Sequence, residues 1–216
     1  MDETIRALVH AKFSKYPKRS YEKGQIIVFS GEDPAHIFYL LSGKVREYAI
    51  TYRGDEIVVN IFKPAAFFPM SWALNHTPNN FFYRTEEATE MHIVPADAAV
   101  AFLKSHPEVT LDLLSRVYRG VDGLFGKMIQ LMSGTAKSRL AYELLTECRR
   151  FGIAQPDGSF LLETNESDLA ARSALSRETV SREMQKLKAH GVKVTPKGVI
   201  VTYIHQLEVI VLKESN

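Results

Sequence analysis

The chain carries one cysteine, Cys148, in 216 residues. A single thiol cannot close an internal disulfide, and it cannot supply the four thiolates of an iron–sulfur cluster. No apolar run approaches the ~20 residues that a membrane-spanning helix needs. The opening MDETIRALVHAKF lacks the basic start and apolar core of a secretory signal. These absences predict a cytoplasmic protein with no membrane partner. Catalytic patterns are missing too. There is no glycine-rich phosphate loop, no paired carboxylates and no Ser/His/Asp set, and His10, His36, His92, His106, His190 and His205 show no metal-ligand spacing. An enzyme is not expected, and neither is a metal. An excess of one sign of charge is missing as well, with 27 basic against 25 acidic residues and a formal net charge of +2. The remaining composition, 45% hydrophobic and 24% charged, is that of a soluble globular chain long enough for one or two domains.

What is present concentrates near the end, in Asn165 to Val194. Asn165 can cap a first helix, with Glu166 and Asp168 in its positive first turn. Leu169 and Ala170 give that helix an apolar face, and Leu175 falls in the turn after it, where it would plug the space between two helices. Ser176 is an N-cap for a second helix, in which Val180, Met184 and Leu187 recur at +4 and +3 as one buried stripe. The other face carries Arg177, Glu178, Ser181, Arg182, Gln185, Lys186 and Lys188. From Arg172 to Lys197 there are seven basic and two acidic residues, an excess of five positive charges that exceeds the +2 of the whole chain. A solvated amphipathic helix would fit these residues as well. The next ten residues favour a winged helix-turn-helix: Val192 to Val194 and Val199 to Val201 are short β-prone runs around Thr195-Pro196-Lys197-Gly198, a hairpin with a basic tip. Ala174 stands where glycine is common in such turns, and a left-handed φ there would cost about 1–2 kcal/mol.

Ser176-Arg177-Glu178-Thr179-Val180-Ser181-Arg182 resembles the recognition-helix signature of the catabolite-activator/fumarate-nitrate-reductase regulators (the CRP/FNR family). The resemblance runs from about Tyr16 to about Tyr203. It implies an α+β fold: a β-roll of jelly-roll type over residues 1–106, a dimerisation helix and hinge over 107–134, and a winged helix-turn-helix over 135–216. It also implies a homodimer on a palindromic double-stranded DNA site, with RNA polymerase as a further partner if the protein activates. Arg177, Glu178, Ser181 and Arg182 are the candidates for base contacts, since arginine can address guanine bidentately and glutamate can accept from cytosine N4. Glu178 could also orient a neighbouring arginine. Ser176, Thr179, Lys137, Lys186 and Lys197 are candidates for phosphates. Arg177 matches the catabolite-activator pattern while Ser181 and Arg182 match the fumarate-nitrate pattern, so the half-site is TGTGA-like or TTGAT-like. A module that senses a ligand or binds protein, with a winged helix that has lost DNA, is the other reading of the same residues.

Upstream, Ile26 to Phe29, Ile37 to Leu41, Val45 to Thr51 and Ile57 to Phe62 read as short strands punctuated by glycine turns, a sandwich or roll. Phe29-Ser30-Gly31-Glu32 and Tyr39-Leu40-Leu41-Ser42-Gly43-Lys44-Val45 resemble the cyclic-nucleotide-binding roll of the same family. The family's nucleotide contacts are not there. A Gly-Glu-Leu segment and, some ten residues on, an Arg-Ser pair are replaced by Phe67-Phe68-Pro69-Met70-Ser71-Trp72 and by Asn79-Asn80. Burying a phosphate without a cation is costly, so classical cyclic AMP is not the expected effector. Phe67, Phe68, Met70, Trp72, Phe82 and Arg84, together with Leu124 and Phe125 at the family's adenine-contacting positions, are the candidates for an apolar or aromatic effector pocket. A roll filled by its own aromatics, with no effector, is the alternative. Haem is a third reading, because His76 lies in the loop Leu74 to Pro78. No cofactor is expected.

Pro107 can start a helix. From there Leu114, Val117, Val121, Leu124, Met128 and Leu131 recur at heptad spacing, the seam of a parallel helix pair. Gly120, Gly123 and Gly126 interrupt the same helix, and they could let its pairing shift, turning the DNA-binding segments about a hinge near Ser133-Gly134-Thr135. Cys148 falls in an apparent helix, Leu140 to Arg150, as a packed small residue.

Overall fold

The computed structural model describes residues 2–213. The terminal positions of the outer segments proposed above, residue 1 and residues 214–216, lie outside the described residues. The chain forms two compact units, residues up to Tyr118 and residues from Arg119 on.

The first unit opens with a helix absent from the sequence reading, α1 (Glu3–Phe13), capped by the Asp2 carboxylate on Thr4 N at 2.9 Å. Eight strands come next: β1 (Lys18–Tyr21), β2 (Ile26–Val28), β3 (His36–Ser42), β4 (Val45–Ile50), β5 (Glu56–Phe62), β6 (Phe67–Phe68), then β7 (Phe82–Thr85) and β8 (Thr89–Pro95) after the short helix α2 (Met70–Asn75). They pair antiparallel into two sheets, β1-β8-β3-β6 and β2-β7-β4-β5. The central strand β3 of the first sheet is buried on both faces. Ile37 and Tyr39 of β3 pack with α1 and with α3 (Ala96–Ser105), whereas Phe38 and Leu40 pack with Val28, Val45 and Tyr83 of the other sheet. This explains why β3 reads as an unbroken apolar run and not as an alternation. The turn between β3 and β4 admits only glycine: Gly43 has φ +86°, and a Cβ there would sit 2.4 Å from Thr89 Oγ1.

The long helix α4 (Pro107–Ser133) begins at the expected proline and crosses the boundary between the units. Its first part belongs to the first unit, with Val109 fully buried and Arg116 tied to Asp112 at 2.9 Å. Its second part packs on α5 (Ala136–Phe151) of the second unit. There the Tyr142 hydroxyl donates to Gly123 O at 2.9 Å and Lys127 pairs with Glu143 at 3.1 Å. Burial pushes the Glu143 carboxyl above its ordinary range, against the pull of the Lys127 ammonium. Gly126 has a packing reason of its own, since a Cβ there would meet the Tyr142 hydroxyl at 2.5 Å, while Gly120 and Gly123 face open space.

After α5 come β9 (Ile153–Ala154), β10 (Phe160–Leu162), α6 (Glu166–Ser173), α7 (Arg177–Leu187), a single 3₁₀ turn at Lys188–His190, β11 (Val192–Thr195), β12 (Gly198–Val201) and α8 (Ile204–Lys213). The sheet order is β11-β12-β10-β9. Leu140, Leu144 and Cys148 of α5 join Leu169, Val180, Met184, Leu187, Val199 and Leu207 in one core. Burial pushes the Cys148 thiol up to about 12, so it packs as a small apolar group.

Arg172 corrects the sequence reading. It stands in sequence among the exposed basic residues, but it turns inward, pairs with Glu147 of α5 and donates to the Thr164 hydroxyl at 3.0 Å. Glu183 of the same segment is buried as well, so the surface of the segment keeps its excess of five positive charges. Removing the carboxylate leaves a buried cation without its counter-charge, so Glu147→Ala should cost about 3–5 kcal/mol in the second unit. Urea unfolding followed by circular dichroism measures it. A loss under about 1 kcal/mol, the range of an exposed pair, would contradict the assignment.

Candidate nucleic-acid interface

The helices α6 and α7 each start on a side-chain cap. The Asn165 side chain accepts from Asp168 N at 2.9 Å and starts α6. The helix closes on Ala174, which takes the left-handed conformation (φ 53°, ψ 42°), and Leu175 then packs partly buried against the core. The turn carries a clamp that sequence reasoning missed. Nη2 of Arg139, from α5, donates to Ser173 O at 3.1 Å and to Ala174 O at 2.9 Å. These are carbonyls a helix end leaves without partners, and a cation there also suits the helix dipole. No sequence signal marks a residue that lies 35 positions away from the turn it holds.

Ser176 starts α7, accepting from Thr179 N at 3.2 Å, with the two hydroxyls 3.0 Å apart. Val180, Met184 and Leu187 are buried, as their spacing predicts. The opposite face presents Arg177, Glu178 and Arg182 exposed, with Thr179 and Ser181 half-buried between them. Arg177 and Ser181, and likewise Glu178 and Arg182, stand one helical turn apart and so line one face. The acid beside Arg182 is not Glu178. It is Glu183, almost wholly buried, whose Oε1 lies 3.6 Å from Arg182 Nε and 2.8 Å from Lys186 Nζ. A buried carboxylate thus anchors two exposed cations from beneath. Lys197 is exposed in the two-residue link between β11 and β12, and Lys137 is half-buried in the first turn of α5. The hairpin needs glycine at Gly198 (φ +134°), where a Cβ would stand 2.1 Å from Leu162 O.

The aromatic residues of the first unit separate into three environments. Phe67 stacks on Tyr39 at 5.3 Å in the helix-facing core, with Met70 and Trp72 packed against the same cluster. Phe68 lies between the sheets, stacked with Phe62 at 4.9 Å and with Phe38 and Tyr83 at 5.5 Å. Phe82 and Arg84 alternate with Tyr83 along β7 and project from the other face. Phe82 stacks on Tyr48 at 5.3 Å, and Arg84 holds Glu56 bidentately at 2.8 and 2.7 Å. These candidates are therefore not gathered into one chamber. Leu124 and Phe125 are exposed on the part of α4 in the second unit.

Asn79, near which the sequence reading sets the family's Arg-Ser pair, is buried. Its amide donates to Phe29 O and Phe81 O, both at 2.9 Å, and its Oδ1 accepts from Phe81 N at 3.2 Å. Between the sheets, the Tyr83 hydroxyl donates to Glu47 at 2.8 Å, and burial raises both groups above their ordinary ranges. His76 is an exposed residue that ends α2 in the left-handed conformation. Among the described residues no cluster of His, Cys, Asp or Glu could hold a metal, and no helix is long and apolar enough to cross a membrane.

Comparison with known proteins agrees with both units. Residues 18–106 match the family model of the cyclic nucleotide-binding domain, and residues 138–210 match that of the Crp-like helix-turn-helix domain. The chain is 25% identical over 193 residues to a global nitrogen regulator of Synechocystis, covering 84% of this chain and 83% of that one. It is 26% identical over 184 residues to a cyclic AMP receptor protein of Thermus thermophilus, covering 85% and 82%. A solved structure of a CRP/FNR-family transcriptional regulator from Thermus thermophilus superposes with a TM-score of 0.75 at 19% identity, over 92% of this chain and 100% of that one.

The left-handed turn residue gives a direct test. Ala174→Gly removes the Cβ conflict at φ 53° and should stabilise the second unit by about 1 kcal/mol, after the entropy that glycine adds to the unfolded chain is subtracted. A midpoint that falls in thermal unfolding would mean the surrounding contacts, chiefly Arg139, already relieve the strain.

Proposed function

The chain belongs to the CRP/FNR family of transcriptional regulators, and from that premise we propose a cytoplasmic homodimer that reads a palindromic DNA site under the control of a small molecule other than a cyclic nucleotide. The observation that carries the DNA reading is the composition of the exposed face of α7. Arg177, Glu178, Ser181 and Arg182 offer donors and acceptors in the order a major groove can pair, on a helix whose other face is buried. Arg177 is assigned to guanine. Arg182, steadied by Glu183, takes a second base. Ser176, Thr179, Lys137, Lys186 and Lys197 hold phosphates and fix the register without reading sequence. RNA polymerase is a further partner if the protein activates.

The dimer reading rests on α4. Leu114, Val117, Leu124, Met128 and Leu131 are each between 41% and 53% exposed at heptad spacing, with Val121 half-buried among them. An apolar seam of that length left in water is unfavourable by the ordinary hydrophobic term, and an identical helix covers it by symmetry. Two copies would then present their α7 helices about one DNA turn, roughly 34 Å, apart.

The effector reading rests on Asn79-Asn80 and on the stretch Phe67 to Trp72, which stand where the family resemblance sets the Arg-Ser pair and the Gly-Glu-Leu segment. Asn79 carries no charge, and its amide is fully occupied by the loop around it. No metal or haem enters this reading.

Three variants test it. Arg177→Ala should cost about 1–3 kcal/mol on the cognate site and relax preference at one base pair, measured by gel shift across single-base operator variants. Lys197→Ala should weaken all operators alike and lower the salt slope by about 1. Equal weakening on every operator by Arg177→Ala would remove it from base readout. In the seam, Leu124→Asp with Met128→Asp should yield a monomer in sedimentation and lower DNA affinity by about two orders of magnitude, because the two half-sites lose their linkage. A double variant that stays dimeric would place the interface elsewhere.

A further inference from the structure

A cavity of about 370 Å³ opens at one end of the roll, lined by Tyr16, Arg19, Tyr21, Ile27, His36, Phe38 and Ile93 with Pro17 and Pro95. Strand register explains its composition. Arg19 pairs with Met91, Phe38 with Ile93 and His36 with Pro95, so these residues project from one face of the first sheet. That face is the one turned toward the second sheet, since Met91 and Phe38 belong to the core between them. Arg19 and His36 are thus the only charged or imidazole side chains in a lining of aromatic and aliphatic groups, and no carboxylate is among them. Neither makes a hydrogen bond or ion pair through its side chain among the described residues. Both remain exposed, at the rim, while Phe38 is buried at the floor.

We propose that this cavity binds a small carboxylic acid with an apolar body. The volume falls in the range of ligand sites, and the walls suit an alkyl or aromatic group. The planar guanidinium of Arg19 matches a carboxylate fork. The floor residue connects the site to the interior. Phe38 stacks on Phe68, Phe68 on Tyr83, each at 5.5 Å, and Tyr83 donates to Glu47. An occupant pressing on Phe38 bears on that whole stack. The inference rests on the functional reading above only in making this acid the effector; the binding itself needs no DNA.

Isothermal titration of the full chain with octanoate, and with octanol as its uncharged counterpart, tests the site. One octanoate per chain should bind saturably, about tenfold or more tighter than octanol, the worth of a charge-assisted hydrogen bond. Arg19→Met, at an exposed position, should abolish that preference, whereas Lys104→Met, the same loss of charge at an exposed position on α3, should leave it intact. Absence of saturable binding overturns the proposal. So does equal affinity for the alcohol, and so does an equal effect of the two substitutions. A chain that binds octanoate but shifts no operator would refute the DNA reading alone, and the reverse result would refute this site alone.

Discussion

Arg172 leaves α6 toward the interior, where its guanidinium meets the Glu147 carboxylate of α5 and the Thr164 hydroxyl before the helix begins. Desolvating a cation costs several kcal/mol, and it is tolerated only where an anion and further hydrogen bonds meet it. That requirement makes α6 take one position on α5. Because the turn at Ala174 is held by Arg139, also from α5, the start of α7 is set by the same helix. The exposed face of α7 is then a consequence of contacts made entirely behind it. Glu183 repeats the arrangement on a smaller scale, a buried carboxylate beneath Arg182 and Lys186. Polar groups in this unit serve geometry as much as charge, which hydrophobic packing alone would specify less sharply.

The long helix α4 makes opposite demands along its length. Val109 is buried and Arg116 is engaged with Asp112 in the first unit, while Tyr142 and Lys127–Glu143 grip the helix in the second. Each compact unit therefore holds its own part of one continuous helix. Gly126 gives room to the hydroxyl of Tyr142, a local steric reason that needs no appeal to helix sliding. Gly120 and Gly123 have no such neighbour. Each costs roughly 0.5–1 kcal/mol of helix propensity, so any compensation for these two lies outside the contacts within the chain.

How much of the fold and the site is legible in the sequence depends on the range of the interactions involved. The caps Asn165 and Ser176, the stripe Val180, Met184 and Leu187, and the hairpin 192–201 are local patterns of three or four residues, and all of them appear where the spacing places them. Strands β2 to β5 are readable for the same reason. Helix α1 is not. Ile5, Leu8 and Val9 stand at helical spacing there, but the helix gains its order by laying Val9 and Phe13 against Tyr39, Phe67 and Phe102, partners far away in sequence. Arg172 misleads because a basic residue among other basic residues looks exposed, and only Glu147, 25 positions upstream, makes its burial possible. Arg139 is invisible on the same grounds.

The effector side resists for a different physical reason. Aromatic residues adjacent in sequence within a strand point to opposite faces. Phe67 and Phe68 enter separate cores, and Tyr83 parts company with Phe82 and Arg84. A cluster in one dimension is thus a dispersal in three. The converse holds at the mouth of the roll, where Arg19, His36 and Ile93 come from three strands and show no cluster in the sequence at all. Alternation along each strand and register between strands bring them to one face. The recognition-helix signature, Ser176 to Arg182, lies within a single stretch of about two helical turns. A chamber built across strands becomes visible only once pairing is known, and that asymmetry is why a helix-turn-helix is plain in such a chain long before any chamber in its roll.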